Sequence, residues 1–398
     1  MIPYEEAIEK VLNHTLDYGT EEVTLEESNN RILDEDILAD RDFPPFDRAT
    51  KDGIALKYTG IKSGHQTLLI AGMAPAGSPQ LELIDEQTCI EIMTGAIVPK
   101  NADTVVMYEH LKESPTSFEL NMPVKKGQNI HYKASDIAAG EILLHAGTLI
   151  TAAEIGIMAS VGKSKIKVKK LPRVAVISTG NELVDVDETP EPHQIRKSNS
   201  ITLRALLQNQ QIDLGLYHLL DEPVALQKKI QGLLLEYDVL LLSGGVSKGK
   251  FDYLPETFNA LGVEKIFHKV RQRPGKPFWF GRYKASNSMI FSFPGNPVST
   301  FVSYHMYFVP WLNKTLGVHQ EQYNVHLGES MENTTDLTVF IGVKVKLTNS
   351  VPTANRINTT GSGDLLALTK SDGFVRLAPG ERLDEGNSVI FIPTRRII

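Results

Sequence analysis

The feature that most constrains this chain is a unit that recurs through its middle: a short apolar run, a glycine turn, then a helical stretch. Arg173 to Ser178 runs into Thr179-Gly180, and a helical stretch follows from Ser200 to Leu207. Asp238 to Leu242 ends in Ser243-Gly244-Gly245, and Met289 to Phe293 ends in Pro294-Gly295-Asn296-Pro297 before a helix that continues through Trp311. Apolar runs without alternation suit strands buried on both faces. Strands separated by glycine turns and helices predict a doubly wound, parallel α/β sheet. Such sheets bind ligands beyond the carboxyl ends of their strands. The three glycine loops are therefore expected to converge on one edge.

At 398 residues the chain exceeds one ordinary core, so two to four domains are expected. Ala7, Ile8, Val11, Leu12 and Leu16 recur at helical spacing over residues 4–17. After Pro44-Pro45 the texture becomes β-rich up to about residue 135, and residues 151–161 read as a helix stopped at Gly162. Beyond residue 318 the chain is β-like, with Leu337 to Leu347 and Ser388 to Ile392 as candidate strands.

Composition excludes several classes. The chain has no apolar run of eighteen residues, so no membrane span is expected, and its acidic start lacks the pattern of a secretory signal. A cytoplasmic protein is expected. A formal net charge of −7 argues against a nucleic-acid partner, though not against a small anion held by a few cations and N–H groups. The single cysteine, Cys89, rules out a disulfide framework and a protein-thiolate cluster. Any soft or high-valent metal handled here must take its sulfur ligands from a small molecule.

Individual motifs carry different weight. Gly244 to Phe251 fits the phosphate-loop pattern but ends in Phe where Ser or Thr should meet magnesium, and Pro255 interrupts soon after. A Ser/Gly turn offering N–H groups to phosphate is the better reading, with Asp252 available for a metal and a purely geometric turn as the alternative. Arg271 to Pro277 concentrates cations between two prolines, which suits a small oxyanion, although a solvated loop has the same composition. Pro297 fits the first turn of a helix whose N–H groups could attract an anion or merely be capped. Asp52, Asp136, Glu182, Asp221 and Asp252 gain interest from lying beside Gly or Pro turns or at strand ends, and their oxygen donors favour Mg²⁺. The eleven histidines show no zinc spacing, and Ser178, Ser243 and Ser299 have no serine-hydrolase context.

Eight segments taken in order resemble the MoeA and gephyrin E-domain family. They are Pro44 to Asp47 with Asp52-Gly53; Ile92 to Ala96 with Val98-Pro99 and Ala102-Asp103; Gly127 to Ile130 with Ser135 to Ile137; and Ser178 to Gly180 with Glu182-Leu183. Ser198-Asn199, Ser243 to Ser247 with Asp252-Tyr253, Pro274 to Pro277, and Pro294 to Ser299 complete the set. The resemblance implies a helical dimerisation domain from residues 1–43 and 137–171, with a β-rich domain, 44–136, inserted in it. It also implies a molybdopterin-binding-type α/β domain over 172–318 and a C-terminal β-barrel over 319–398. It implies a homodimer whose active site is shared between subunits.

The implied reaction is insertion of molybdate into adenylated molybdopterin with release of AMP, assisted by Mg²⁺. Asp52, Thr94, Asp136, Glu182, Asp252 and Lys276 would be catalytic. Ser178, Thr179, Gly180, Asn199, Ser243, Gly244, Gly245 and Ser247 would bind the phosphate part of the substrate. Arg273, Lys276, Pro277, Ser299 and Ser362 would hold molybdate, and Asp221 with Asp252 would hold Mg²⁺. The adenylyltransferase that prepares the substrate and the molybdoenzyme acceptors would be partners. The chain departs from the family pattern at Arg48 to Lys51, His131 to Ser135, Asn181, Lys197, Lys248 and Arg273, and Ile341 stands where the family carries an arginine. A weakened paralogue acting as carrier or scaffold, and an adenylyltransferase-like enzyme, are the alternatives. The first should have lost Lys276, Asp252 and Thr94, and the second lacks the inserted segment.

Overall fold

The computed structural model describes residues 1–246, 252–318, 321–348 and 350–395. It divides into two compact units, Met1–Glu21 with Lys169–Ile398, and Glu22–Val168. Among the described residues no helix is long and apolar enough to cross a membrane.

The first unit is built on a six-stranded sheet. Its strand order is Leu214–Leu219, Val174–Thr179, Val239–Ser243, Ser288–Phe293, Trp279–Tyr283 and Glu264–His268. The first four are parallel; Trp279–Tyr283 pairs antiparallel with Ser288–Phe293, and Glu264–His268 pairs antiparallel with Trp279–Tyr283 at the edge. The expectation of a parallel sheet thus holds for the centre, while the edge is a hairpin-like return too short for a crossover helix. Every residue of Val174–Thr179, Val239–Ser243 and Ser288–Phe293 is buried. Ala175, Ile177, Leu240, Leu242 and Ile290 pack under Leu226, Ile230, Leu233 and Leu234 of the helix Pro223–Glu236, and under Leu254 and Phe258 of Leu254–Ala260. Helix Ser198–Gln208 follows Val174–Thr179 along the chain, and Pro297–Ser303 follows Ser288–Phe293. The latter runs on through a π-turn, Tyr304–Phe308, into Val309–Thr315. The chain order reverses between Val174–Thr179 and Val239–Ser243, which is where such sheets open a ligand crevice.

A β-barrel completes this unit. Tyr323–Leu327, Thr338–Thr348, Val351–Arg356, Gly373–Leu377 and Ser388–Pro393 close on themselves because Thr338–Thr348 pairs with both Val351–Arg356 and Gly373–Leu377. Val325, Val343, Val345, Ala354, Val375 and Phe391 fill it. The strand Val270–Arg273 joins the barrel sheet, running parallel to Thr338–Val339 on one side and to Ile2–Pro3 on the other.

The N-terminal helix is Tyr4–Leu12, shorter than the amphipathic pattern suggested, with Tyr4, Ala7 and Val11 buried. It belongs to the α/β unit, unlike the assignment of residues 1–43 to a helical domain. Tyr4 packs edge-on against Phe340 and beside Tyr307, and His14 O accepts a hydrogen bond from Trp311 at 3.0 Å. The apolar stripe therefore finds its cover in aromatic side chains hundreds of residues away, which periodicity cannot reveal.

The second unit contains a six-stranded sheet spanning residues 53–120. A separate small core gathers Leu33, Ile37, Ile150, Met158, Ile166 and Val168. Around that core the helix Ala152–Ser160 is capped by Thr151 and Glu154 in a reciprocal capping box. The remaining support comes from short strands such as Ile37–Leu38 paired with Ile142–Leu144, so this part is less helical than expected.

Leu240 is fully buried in the central strand between two parallel neighbours. Leu240→Ala should cost about 2–5 kcal/mol by leaving a cavity there. A denaturant midpoint unchanged from wild type would contradict this placement of the core.

Candidate active site

Three loops at the carboxyl ends of the parallel strands line a cavity of about 450 Å³. Ser178, Thr179, Gly180 and Glu182 come from the first loop, and Ser243, Gly244 and Gly245 from the second. Pro294 to Pro297 come from the third, with Asp221, Asp252, Lys197 and Asn199 completing the wall. Asn199 ties the loops together. Its amide donates to Ser243 Oγ at 2.7 Å and to Gly295 O at 2.6 Å. Gly244 has φ +101, and a Cβ there would lie 2.9 Å from the Thr179 carbonyl oxygen, so only glycine fits. Thr179 Oγ1 is buried with no hydrogen-bond partner among the described residues, a polar atom left for a ligand. Ser247, expected in this group, lies outside the described residues.

The carboxylates here feel one another. Burial raises the Asp221 carboxyl above its ordinary range, and Glu182 and Asp252 raise it further, while the Asn181 side chain accepts from the Asp221 N–H at 3.0 Å. Among the described residues no group of three or more His, Cys, Asp or Glu could hold a metal by itself.

A second cavity, of about 670 Å³, lies between the Arg273–Pro277 loop, the start of helix Pro297–Ser303 and the barrel. Arg273, Lys276, Pro277, Ser299 and Ser362 all line it, with Ile341 and Arg356 from the barrel strands. The loop is braced from within. Buried Gln272 donates to Pro274 O at 2.9 Å and accepts from the Tyr307 hydroxyl, and Val270 N–H donates to Lys276 O at 2.9 Å. Gly275 has φ +94, and a Cβ would meet Gln272 Nε2 at 2.6 Å and Ser303 Oγ at 2.8 Å. Asn296 donates to Ser362 Oγ at 2.8 Å, and Val298 N–H donates to Ser362 O at 3.0 Å. One N–H of the helix start, expected to be open to an anion, is thus spent on the barrel loop. Pro277, Pro294 and Asn296 line both cavities, so the two compartments adjoin.

Within the other unit, Asp52 and Thr94 come together. Asp52 Oδ1 accepts from Thr94 N–H at 2.6 Å and from its hydroxyl at 2.8 Å, and these bonds hold the carboxyl below its ordinary range. Asp136 accepts from His131 Nε2 at 2.8 Å, which holds this carboxyl low as well. Arg48 Nη2 donates to His131 Nδ1 at 3.2 Å, because Arg48 and His131 face each other across a short antiparallel pair.

Comparison with known proteins decides the family. Residues 2–162 match the MoeA N-terminal region (domains I and II), and residues 175–314 match a probable molybdopterin binding domain. The chain belongs to the MoeA family. A molybdopterin molybdenumtransferase of Synechocystis is 38% identical over 95% of both chains. One from Staphylococcus epidermidis is 33% identical over 99% of this chain and 96% of its own. The crystal structure of a molybdopterin biosynthesis MoeA protein from Pyrococcus horikoshii superposes with a TM-score of 0.82 at 29% identity, covering both chains fully.

Sequence reasoning passed over three members of these MoeA-type cavities. Asn296 touches both compartments but was read only as part of a turn. Lys197, noted as a departure, lines the first cavity and pairs with Asp185 at 2.6 Å. Arg356, isolated in a β-like segment, gave no local signal.

The raised Asp221 carboxyl has a consequence for pH. A carboxyl whose folded pKa exceeds its unfolded one favours folding at low pH, and that contribution is lost as pH rises through the folded value. Glu182→Gln should lower the Asp221 pKa and flatten this loss. NMR titration of Asp221 in both proteins measures it, and an unshifted midpoint would reject the Glu182 coupling.

Proposed function

We propose that this protein is a molybdopterin molybdenumtransferase that inserts molybdate into adenylated molybdopterin and releases AMP. The observation that carries the reading is the pair of adjoining cavities with different chemistry. One offers hydroxyls, glycine-turn N–H groups and the carboxylates of Glu182, Asp221 and Asp252 beside Arg196 and Lys197, and the other offers Arg273 and Lys276 with Glu332 as the one carboxylate of its lining. Such a pair suits a substrate whose phosphoanhydride must meet a free tetrahedral dianion.

In this reading Ser178, Thr179, Gly180, Asn199, Ser243, Gly244 and Gly245 hold the phosphate end, with the Thr179 hydroxyl unpartnered before ligand arrives. Arg273 and Lys276 hold molybdate, Lys276 as a point charge and Arg273 as a planar fork. Ser299 and Ser362 add hydroxyls, and Pro277 keeps the loop stiff at the junction. Holding both reactants at one seam supplies orientation, the main thing a protein can add to such a reaction.

The acidic residues fit a hard divalent cation. No histidine or cysteine lines the cavity that Asp221 and Asp252 share, although His218 lies near enough to act on Asp221, and Mg²⁺ takes one or two carboxylates plus substrate phosphate oxygens. Bound there, Mg²⁺ would offset charge on the departing AMP phosphate. The mutual crowding of Asp221, Glu182 and Asp252 is the kind of repulsion such a cation relieves. The dithiolene sulfurs of the substrate itself ligate molybdenum, in keeping with a chain whose only thiol, Cys89, is buried.

Asp52, Thr94 and Asp136 enter this reading through a cytoplasmic homodimer in which each active site draws on both copies. Mixing Lys276→Ala and Asp52→Ala chains should then restore activity at about one site in four, since one of two sites is intact in each mixed dimer. Absence of any recovery on mixing would count against sharing.

The direct test is a single turnover with purified protein, adenylated molybdopterin, Mg²⁺ and molybdate, following AMP. Molybdate-dependent AMP release is expected. Lys276→Ala should abolish it while leaving the fold intact. Normal turnover in that variant would sink the oxyanion assignment, and tight pterin binding without AMP release would favour a carrier.

A further inference from the structure

Three basic side chains line the second cavity, and the reading above uses only Arg273 and Lys276. The third is Arg356. It ends the barrel strand Val351–Arg356 and stands opposite Val343, while the next residue, Ile357, donates its N–H to Gly342 O at 2.8 Å. The register therefore fixes where it emerges. Ala354, two residues earlier, is fully buried in the barrel core beside Val345. Arg356 shares that inward side by the two-residue period of a strand, and it reaches the barrel mouth where the core ends.

Arg356 is exposed at the rim of this cavity, so its charge stays available to a ligand there. Its backbone N–H donates to Glu329 Oε1 at 2.9 Å, but no described side chain pairs with its guanidinium. The other described arginines of the barrel are engaged: Arg376 with Glu5, Arg382 with Asp384, and Arg395 with the carbonyls of Leu368 and Thr369. Among the residues lining the cavity Glu332 is the one carboxylate, against Arg273, Lys276 and Arg356. Ile341, on the neighbouring strand, faces the same space without charge.

We infer that Arg356 is the barrel's half of an oxyanion clamp, closing on molybdate from the wall opposite Lys276 and Arg273. The inference rests on the reading proposed above and adds a ligand-binding residue to it. A guanidinium offers two parallel N–H donors to two oxygens of a tetrahedral dianion, which the single charge of a lysine does not. The α/β loop thus supplies cations from one side and the barrel a fork from the other.

The test is equilibrium binding of molybdate alone to the full-length protein by calorimetry, with binding of the adenylated pterin measured in parallel. Arg356→Ala should weaken molybdate binding roughly ten- to hundred-fold, the scale of losing charge-assisted hydrogen bonds. Pterin binding and the melting temperature should stay near wild type, which a merely structural role would not allow. Arg356→Lys should recover part of the loss and raise KM for molybdate more than it lowers kcat. Unchanged molybdate binding in Arg356→Ala, with loss in Lys276→Ala, would reject the inference and leave the cavity assignment standing. Wild-type protein that binds no molybdate would overturn both. If the alanine variant fails to fold, Arg356→Gln keeps a polar, though shorter, side chain with N–H donors and drops the charge, and wild-type affinity in that protein would reject the clamp.

Discussion

The arrangement depends on where one four-residue strand makes its hydrogen bonds. Val270–Arg273 leaves the α/β sheet and pairs instead with Ile2–Pro3 and with Thr338–Val339 of the barrel. Its buried Gln272 cannot be left unsatisfied, and it bonds to Pro274 O and to the Tyr307 hydroxyl. Those bonds fix the following loop, so Lys276 and Arg273 are presented at the seam between the α/β domain and the barrel. The N-terminal helix belongs to the same arrangement, since Tyr4 covers Tyr307 and Phe340 on the far side of that strand. Remove the strand from the barrel sheet, and the second cavity loses its floor and its charge together.

The two cavities divide the electrostatics. Burial first, and then Glu182 and Asp252, raise Asp221 in the cavity that Arg196 and Lys197 also line, whereas the barrel seam carries three cations and one acid. Arg273, Lys276 and Arg356 pair with no described acid, although Pro277, Pro294 and Asn296 line both cavities. The stiff proline-rich junction keeps the sets apart at low entropy cost. The field is thus preorganised before any ligand binds, and no ion pair must break to admit an anion.

The parts legible in the sequence were those fixed by local pattern. Three apolar runs ending in glycine loops gave three of the four parallel strands within a residue or two, leaving Leu214–Leu219 unread, and the loops do meet at one cavity. The helix read over 151–161 with its stop at Gly162 forms as Ala152–Ser160. What escaped was set by long-range pairing. The antiparallel edge of the sheet, the capture of Val270–Arg273 by the barrel and the home of the first helix each depend on partners far along the chain. Arg356 is the clearest case: nothing around it in the sequence sets it apart from any exposed strand end, and only the closure of the barrel brings it to the cavity that Lys276 also lines.

The departures from the family pattern also read differently once paired. Arg48 and His131 each look like a loss of the usual residue, but they face each other across strands and continue to Asp136. Arg48 donates to Nδ1, which makes Nδ1 an acceptor and leaves the proton on Nε2 to donate to the carboxylate. His131 thus bridges Arg48 and Asp136, and its hydrogen bond holds the Asp136 carboxyl below the ordinary range. Substituting Arg48 would leave the imidazole free to turn, and substituting His131 would remove it. The two changes are a single device for holding a carboxylate in place, and they preserve Asp136 in an orientation that neither residue could impose by itself.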